Sequence, residues 1–239
     1  MNLAKATVQE HAHVWTDRPE QRVHLVLKSG RHSNGYINAD PLSVDTGATW
    51  LLASLLVQEY IATCIEAIAD GWEPSDRPTV VITPPWGSFR LADYFAIQLQ
   101  MMAGHPVDVA MVEKSDEGLF FIDREGHREA LGGAEVVVIE DVSTTGKSTR
   151  QVCALAESYG AKVTAVGSVW NRGGVSLKDL MLDEDEVLLF SLIDEQLEDW
   201  AANQCPLCAD AVPIATDLGH GTKFQAVHPD YPGGFTTLR

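Results

Sequence analysis

Two acidic residues and a hydroxyl-rich turn follow the most β-branched run of the chain. The run is Val136-Val137-Val138-Ile139, and Glu140 and Asp141 come directly after it. The turn into the next helical pattern contains Ser143, Thr144, Thr145, Gly146, Lys147 and Ser148. Free N–H groups at a helix start, together with hydroxyl groups, favour a phosphate, and carboxylates accept hydrogen bonds from vicinal sugar hydroxyls. This combination predicts a site for a phosphorylated sugar.

Two common nucleotide-binding motifs and a simple helix cap fit the turn less well. A nucleotide-binding P-loop needs a glycine five positions before Gly146, where this chain has Asp141. The GxGxxG pattern of dinucleotide-binding proteins is also absent from the turn. A helix cap is the remaining alternative, but it accounts for one hydroxyl group rather than four beside an acid pair.

The elements that must position these residues alternate between helices and strands. Apolar spacing predicts a helix from Trp50 to Ala69, a second from about Phe89 and a third from about Ser148. β-Branched runs predict buried strands over 80–83, 107–112, 136–139, 163–170 and 187–192. The alternation predicts an α/β fold with a Rossmann-like parallel sheet flanked by helices and with ligands at the carboxyl ends of the strands. The polar segment 113–133 has no clear period and is predicted as a long mobile loop.

Breaks in the helix–strand alternation indicate the domain boundaries, and the composition excludes some classes of protein. We expect an N-terminal hood (1–45), an α/β core (46–194) and a C-terminal extension with a CxxC pair (195–239). The net charge of −17 argues against a nucleic-acid partner, because such a surface repels phosphate backbones. Gln58, Glu59 and Glu66 interrupt the most apolar window, which argues against a membrane span. The first 15 residues lack an export signal, so a cytoplasmic location is expected.

The segment from Val136 to Thr149 resembles the signature for 5-phosphoribosyl 1-pyrophosphate (PRPP) in type I phosphoribosyltransferases. The resemblance implies the fold of that family, with Glu140 and Asp141 contacting the ribose hydroxyls. It also implies that the turn from Ser143 to Ser148 holds the 5′-phosphate.

An N-terminal motif resembles a narrower group within that family. The segment Leu27-Lys28-Ser29-Gly30-Arg31 is similar to the LKSGR motif of orotate phosphoribosyltransferases. In those enzymes the Lys reaches the ligands and an aromatic pair a few residues later lines the base. The resemblance implies these roles for Lys28, Tyr36 and Ile37, and a solvated polar turn is the alternative.

Two further loops resemble the family at the ends of predicted strands. Asn171-Arg172 is similar to an Asp-Arg pair whose Arg binds the carboxylate of orotate, and an exposed Arg in a glycine turn is the alternative. The loop after Thr83 takes the position of the pyrophosphate loop, which implies a role for Pro85, Trp86, Gly87 and Ser88. Asn171 replaces the usual acid, and the second loop is bulkier and richer in proline than the family's Gly-Pro-Ala-x-Gly-Gly.

The predicted mobile loop departs most from the family. Orotate enzymes carry an Arg-Lys-x-x-Lys-x-His-Gly run there, and only Lys114 matches it in a direct overlay. Carboxylates at positions 113, 116 and 117 oppose the charge that develops on departing pyrophosphate. Either Arg124, His127 or Arg128 supplies positive charge by a different closure, or the enzyme has changed its base or lost catalysis.

The C-terminal extension contains a pair of cysteines at metal-ligand spacing. Cys205 and Cys208, together with His220, could complete a three-ligand zinc set. A similar Cys-Pro-Leu-Cys occurs near the end of some orotate phosphoribosyltransferases, where no metal role follows from the family. A structural thiol pair without zinc is the preferred interpretation.

The resemblance implies a glycosyltransferase that moves phosphoribose from PRPP to a pyrimidine base, orotate above all, and releases pyrophosphate. It implies catalysis by Lys114, Glu140 and Asp141, and a homodimer. Mg²⁺ is expected with PRPP, because a hard cation with oxygen ligands suits a pyrophosphate leaving group. A transferase for a different base and a non-catalytic PRPP-binding sensor are the alternatives.

Overall fold

A computed structural model of the chain describes residues 3–16, 22–73, 77–85 and 87–238, so Trp86 of the predicted pyrophosphate loop lies outside the described residues. The helices in these ranges are α1 (Leu3–His11), α2 (Asp40–Val44), α3 (Thr46–Ala69), α4 (Phe89–Ala103), α5 (Glu125–Leu131), α6 (Lys147–Ser158), α7 (Leu177–Leu180), α8 (Pro206–Ala209) and α9 (Gly221–Val227). The strands are β1 (His13–Thr16), β2 (Leu25–Val26), β3 (His32–Ser33), β4 (Gly35–Asn38), β5 (Thr79–Thr83), β6 (Val107–Met111), β7 (Glu113–Lys114), β8 (Phe120–Phe121), β9 (Glu135–Ser143), β10 (Lys162–Asn171), β11 (Leu188–Ile193), β12 (Asp199–Trp200), β13 (Ile214–Ala215) and β14 (Phe235–Thr236).

A five-stranded parallel sheet forms the centre of the larger of two compact units, which contains residues 3–11 and 39–195. The strand order is β11-β10-β9-β5-β6, and every neighbouring pair is parallel. The residues 80–82 and 136–139 are fully buried, as a parallel sheet covered on both faces requires. The predicted α/β class with a parallel sheet flanked by helices is confirmed.

Helices cover both faces of this sheet. Val136 and Val138 belong to the same buried cluster as Val152 and Ala156 of α6. Because side chains alternate along a strand, Val137 points to the opposite face. The helices α3 and α4 also contact the central strands, so the sheet lies between two helical layers.

The core elements follow the predicted order, but one segment differs. The residues 113–133, predicted as a loop, contain a hairpin of β7 and β8 and the helix α5. Strands of two residues are too short to show a period of two, and α5 buries only Leu131. Neither element leaves a readable periodic pattern in the sequence.

The second unit combines two segments from opposite ends of the chain, 12–38 and 196–239. Its three-stranded sheet has the order β12-β3-β2, so a strand of the C-terminal segment pairs with one of the N-terminal segment. A parallel bridge between His24 and Ile214 joins the same two segments. The predicted domain boundaries at 45 and 194 assigned the two ends of the chain to separate segments, whereas their contacts place residues 12–38 and 196–239 in one unit. The helices α1 and α2, which lie in the predicted N-terminal hood, belong to the larger unit.

The helix α3 has the length and the hydropathy of a membrane span. Length and hydropathy alone are weak evidence for a membrane span, because core helices of globular proteins share both properties. In the larger unit α3 buries Leu52, Ala53, Leu56 and Val57.

Candidate active site

Neighbouring strands of the parallel sheet bring the predicted site residues to one edge. Asn171 at the end of β10 lies opposite Ser143 at the end of β9, and β5 pairs with β9 on its other side. The strand β6 lies next to β5 and leads into Lys114. Ligands of open α/β sheets bind at this carboxyl edge. Residues from four separate parts of the sequence therefore line the same edge.

Glu140 is held by two hydroxyl groups that follow it in sequence. The Oγ of Ser143 donates to its carboxylate at 3.2 Å, and the Oγ1 of Thr149 donates to the same oxygen. Burial, with the neighbouring charge of Asp141, raises the pKa of Glu140 to about 7, although the two hydroxyls act in the opposite direction. Thr149 was absent from the predicted site, and a hydroxyl in the first turn of α6 was its only sequence signal.

The raised pKa of Glu140 predicts a stability that depends on pH. The folded chain keeps a proton on Glu140 that the unfolded chain releases near the usual pKa of 4.5. The free energy of unfolding therefore loses about 3 kcal/mol as the pH rises from 4.5 to about 7, and the loss is complete above that range. The variant E140Q removes this loss, so its stability advantage over the unaltered protein should grow across that window.

Urea unfolding of both proteins at several pH values between 4.5 and 8 measures this difference. Taking the difference cancels the contribution of His24, whose pKa burial lowers to about 4 and whose effect on stability has the opposite sign. A difference that stays constant over the whole range would contradict the raised pKa of Glu140.

Asp141 lies against the loop that follows β5. Its backbone N–H donates to the Oγ of Ser88 at 2.9 Å, and its carboxylate accepts the N–H of Val142 at 2.8 Å. A Cβ at Gly87 would lie 2.8 Å from the Oδ2 of Asp141, so a larger residue there would displace this carboxylate. Burial raises the pKa of Asp141. The predicted pyrophosphate loop thus packs directly on one of the two predicted ribose-binding acids.

The turn between β9 and α6 offers backbone donors to an anion. Gly146 has φ +66°, and a Cβ there would lie 2.7 Å from the Cδ2 of Leu180. Gly146 is the N-cap of α6 and no side chain caps this helix, which removes the simple capping explanation of the hydroxyls. The N–H groups of the first helical turn have no intrahelical acceptor. The predicted phosphate-binding side chains beside them are exposed or half-buried, namely Thr144, Thr145, Lys147 and Ser148.

The loop after β10 is fixed against this turn. The side-chain amide of Asn171 donates to the carbonyl of Val175 at 3.1 Å and accepts its N–H at 2.8 Å. A carboxylate makes only the second of these bonds, so the amide suits this loop. The N–H groups of Arg172 and Gly173 both donate to the carbonyl of Ser143, at 3.0 and 3.1 Å. Arg172 is only 4% exposed, so it is not the solvated arginine of the alternative interpretation.

Lys114 lines a cavity of about 410 Å³ beside the predicted pyrophosphate loop. Pro84 and Pro85 of that loop form one part of the lining, and Met111 at the end of β6 forms another. The Nζ of Lys114 lies 5.9 Å from the ring centroid of Phe120 in the β7–β8 hairpin. The structure therefore brings the one matching lysine of the divergent loop and the predicted pyrophosphate loop to the same cavity.

The other cations of the divergent loop have different surroundings. The ring Nδ1 of His127 accepts the N–H of Met111 at 2.8 Å. The guanidinium of Arg128 donates to the carbonyl of Ile122 at 3.0 Å. Arg124 is exposed, and its Nε lies 3.6 Å from the carboxylate of Asp123. His127 and Arg128 thus hold α5 in place, which leaves Arg124 as the more accessible of the three.

The remaining predicted residues belong to the second unit. Lys28 is exposed in the turn between β2 and β3, while Tyr36 is half-buried and Ile37 is buried in β4. His220 donates its backbone N–H to the carbonyl of Val26 and lies outside the thiol cluster. The predicted zinc set is therefore corrected: Cys205 and Cys208 lie with His24 and His32. Sequence spacing favoured His220 because it follows the CxxC pair closely, whereas the sheet pairing supplies the two histidines.

Known proteins resemble this chain in both sequence and fold. No family model matches the chain. The orotate phosphoribosyltransferase of Carboxydothermus hydrogenoformans is 31% identical over 198 residues, which cover 80% of this chain and 86% of that protein. The orotate phosphoribosyltransferase of Thermotoga maritima is 28% identical over 200 residues, which cover 84% and 92%. The crystal structure of orotate phosphoribosyltransferase from Aeropyrum pernix matches with a TM-score of 0.54 at 22% identity, over 80% of this chain and 93% of that chain.

The fold, together with the similarity in sequence, defines a type I phosphoribosyltransferase. The predicted enzyme class, a glycosyltransferase, is confirmed by the relatives in sequence. At 31% identity over most of both sequences, the chain belongs to the orotate phosphoribosyltransferase family. The family predicted from the motifs is therefore confirmed.

Proposed function

We propose that this protein transfers phosphoribose from PRPP to orotate, giving orotidine 5′-monophosphate and pyrophosphate. The observation that carries the proposal is the position of Glu140 and Asp141 between the α6 turn and the loop after β5. In this proposal the α6 turn binds the phosphate of a sugar held at the acid pair, and the Lys114 cavity receives its pyrophosphate group. The names of the curated relatives support orotate as the base.

In the proposed reaction, the bond between C1 of the ribose and pyrophosphate breaks while a bond from C1 to a ring nitrogen of orotate forms. The amides at the start of α6 bind the 5′-phosphate, and Glu140 and Asp141 accept hydrogen bonds from the ribose hydroxyls. Their negative charge also favours the positive charge that develops at C1. Lys114 stabilises the negative charge on the departing pyrophosphate.

Mg²⁺ fits the donors at this site. Carboxylate oxygens are the ligands that hard divalent cations prefer, and Glu140 and Asp141 place two carboxylates at the sugar end. When bound with PRPP, Mg²⁺ neutralises the charge of the pyrophosphate group. The residues of the chain orient the sugar.

Binding of the orotate base is assigned to Arg172 and to residues in and after the N-terminal motif 27–31. The buried guanidinium of Arg172 is proposed to bind the carboxylate of orotate, since such pairs form two parallel hydrogen bonds. Lys28 is proposed to contact the PRPP ligand, and Tyr36 and Ile37 to line the base, on the resemblance of their motif alone.

The assembly and location are also part of the proposal. A cytoplasmic homodimer is proposed, and exposed apolar residues on α3 and α4 support a second copy as the occupant of that face. Ile65 is 61% exposed, Ile97 48% and Met101 73%. Sedimentation of the purified chain tests this, and a monomer at micromolar concentration would contradict it.

A non-catalytic PRPP sensor is the second candidate. The exposed carboxylates of Glu113, Asp116 and Glu117 beside Lys114 favour it, because they oppose a negatively charged leaving group. Such a protein binds PRPP at the α6 turn without breaking the bond at C1.

Pyrophosphate release from Mg-PRPP tests these possibilities directly. The assay compares orotate with other pyrimidine and purine bases, and PRPP binding is measured in parallel by calorimetry. Release that depends on orotate is the expected result. Release with another base alone changes the substrate, and PRPP binding without any release identifies the sensor.

Arg172 gives a test of the base assignment. In R172A the apparent KM for orotate should rise about 10- to 100-fold, because a charge-assisted hydrogen bond to a carboxylate contributes about 1.5–3 kcal/mol. The KM for PRPP should change little. The variant R172K keeps the charge without the two-pronged geometry and should recover part of the loss. Equal effects on both substrates would remove the carboxylate role of Arg172.

A further inference from the structure

Four potential metal ligands lie together in the second unit. His24, His32, Cys205 and Cys208 each offer one ligand atom, and these four atoms lie within 4.8 Å of one another. We call this group the His₂Cys₂ cluster. Three of its residues are buried and Cys208 is half-buried. The proposed transferase reaction does not use any of them.

The distances within the His₂Cys₂ cluster match those around a tetrahedral metal ion. The Nε2 of His24 lies 3.2 Å from the Nδ1 of His32, and the Sγ of Cys208 lies 3.4 and 3.1 Å from these two nitrogens. Zinc bonds of about 2.0–2.1 Å to nitrogen and about 2.3 Å to sulfur give separations of about 3.3 Å and about 3.6 Å at tetrahedral angles. These three separations are therefore close to those around Zn²⁺, and the Sγ of Cys205 lies within 4.8 Å of each of the three atoms.

Backbone pairing, rather than local sequence, brings the ligands together. The N–H of His24 donates to the carbonyl of Pro213 at 3.0 Å, which ties this ligand to the segment that follows the cysteines. His32 lies on β3 between β2 and β12, opposite Val26 and Trp200. Each histidine is thus fixed to the C-terminal segment by hydrogen bonds of the main chain.

The cysteine pair has the compact backbone that two-residue ligand spacing requires. The N–H of Ala209 donates to the carbonyl of Cys205 at 3.2 Å across the short helix α8. This turn directs the Sγ atoms of Cys205 and Cys208 into the same group of four ligand atoms. Cys-x-x-Cys with two histidines is a donor set of structural zinc sites.

The surroundings of His24 also suit a metal ligand. Its Nε2 faces the cluster, 3.2 Å from the Nδ1 of His32, and its ring is fully buried. On the other side, the ring of Phe224 packs edge-on against His32 at 5.1 Å between centroids.

We propose that the His₂Cys₂ cluster binds one Zn²⁺ ion in a closed structural site. Four protein ligands leave no open position for water or substrate, so the ion has a structural rather than a catalytic role. The ligands come from segments that are 184 residues apart between His24 and Cys208. The ion joins the two segments of this unit, which contains only about 70 residues and has little core of its own.

The metal content of the purified protein is the first test. Purification without added metal or chelator, followed by mass spectrometry of the metal, should give one zinc per chain. Removal with a chelator and addition of Co²⁺ should then produce strong visible bands of tetrahedral cobalt and a thiolate-to-cobalt charge-transfer band. A chain that carries no zinc and binds Co²⁺ without these bands would overturn the proposal, and so would a Cys205–Cys208 disulfide in the purified protein.

Matched variants identify the ligands. C208S and H32A should each lower bound zinc from one equivalent to a small fraction and should weaken the cobalt charge-transfer band. H220A and C64S change the same residue types outside the cluster and should keep one equivalent. Loss of zinc in H220A with retention in H32A would overturn this ligand set. If C208S or H32A fails to fold, the cobalt spectrum of the unaltered chain decides the question.

Discussion

The variant K114A is expected to lower kcat for pyrophosphate release by about 10²- to 10³-fold, the usual loss when one donor to a developing negative charge is removed. Lys114 lines the same cavity as Pro84 and Pro85 of the predicted pyrophosphate loop. Its exposed side chain has little part in packing, so the variant should remain folded. Steady-state kinetics with Mg-PRPP and orotate measure the effect, which should fall on kcat rather than on the KM for orotate.

Two further variants make the result specific. K114R keeps the positive charge and should restore most of the lost rate. K178A removes an exposed lysine from α7, outside the site, and should leave kcat unchanged. An unchanged rate in K114A would remove the assigned role of Lys114 and would direct attention to Arg124.

The variant G173A is expected to weaken PRPP binding by about 10- to 100-fold, because moving an N–H donor away from the 5′-phosphate loses a hydrogen bond to a charged group, which contributes about 1.5–3 kcal/mol. A Cβ at Gly173 would lie 1.7 Å from the carbonyl oxygen of Thr144. The turn that is proposed to hold the 5′-phosphate must therefore move to accommodate the methyl group. Calorimetric titration with Mg-PRPP and a thermal melt together measure the loss of affinity and any loss of stability.

Another glycine provides the control for this variant. Gly126 lies in α5, and a Cβ added there would have no neighbouring atom within 4 Å. G126A should therefore bind PRPP as the unaltered protein does, and its melting temperature should not fall, since alanine favours a helix. If G173A has the PRPP affinity and the melting temperature of the unaltered protein, Gly173 does not lie as close to the carbonyl of Thr144 as described.

Local sequence patterns were enough to predict the core of the fold. The β-branched run before Glu140 predicted the central strand, and the glycine and hydroxyl residues after Asp141 predicted a phosphate-binding turn into a helix. These features depend on neighbours along the chain, so their physical causes are visible in the sequence.

Residues whose partners are distant in sequence could not be assigned in this way. The Oγ of Ser88 accepts the backbone N–H of Asp141, which is 53 positions away. The backbone N–H of Arg172 donates to the carbonyl of Ser143. The order of the strands creates these contacts, and no periodic pattern encodes that order. The short hairpin that carries Lys114 was also missed, because two-residue strands show no alternation.

The sequence by itself was enough to predict the family and the parallel α/β core, and it placed an acid pair beside the hydroxyl-rich turn into α6. Only the tertiary structure decided which histidines meet Cys205 and Cys208. Spacing along the chain favoured His220, but the pairing of β3 with β12 and the bridge from His24 to Ile214 bring the N-terminal histidines to the cysteines. The physical reason is that ligand geometry depends on distances in space, and main-chain hydrogen bonds between the two ends of the chain set those distances.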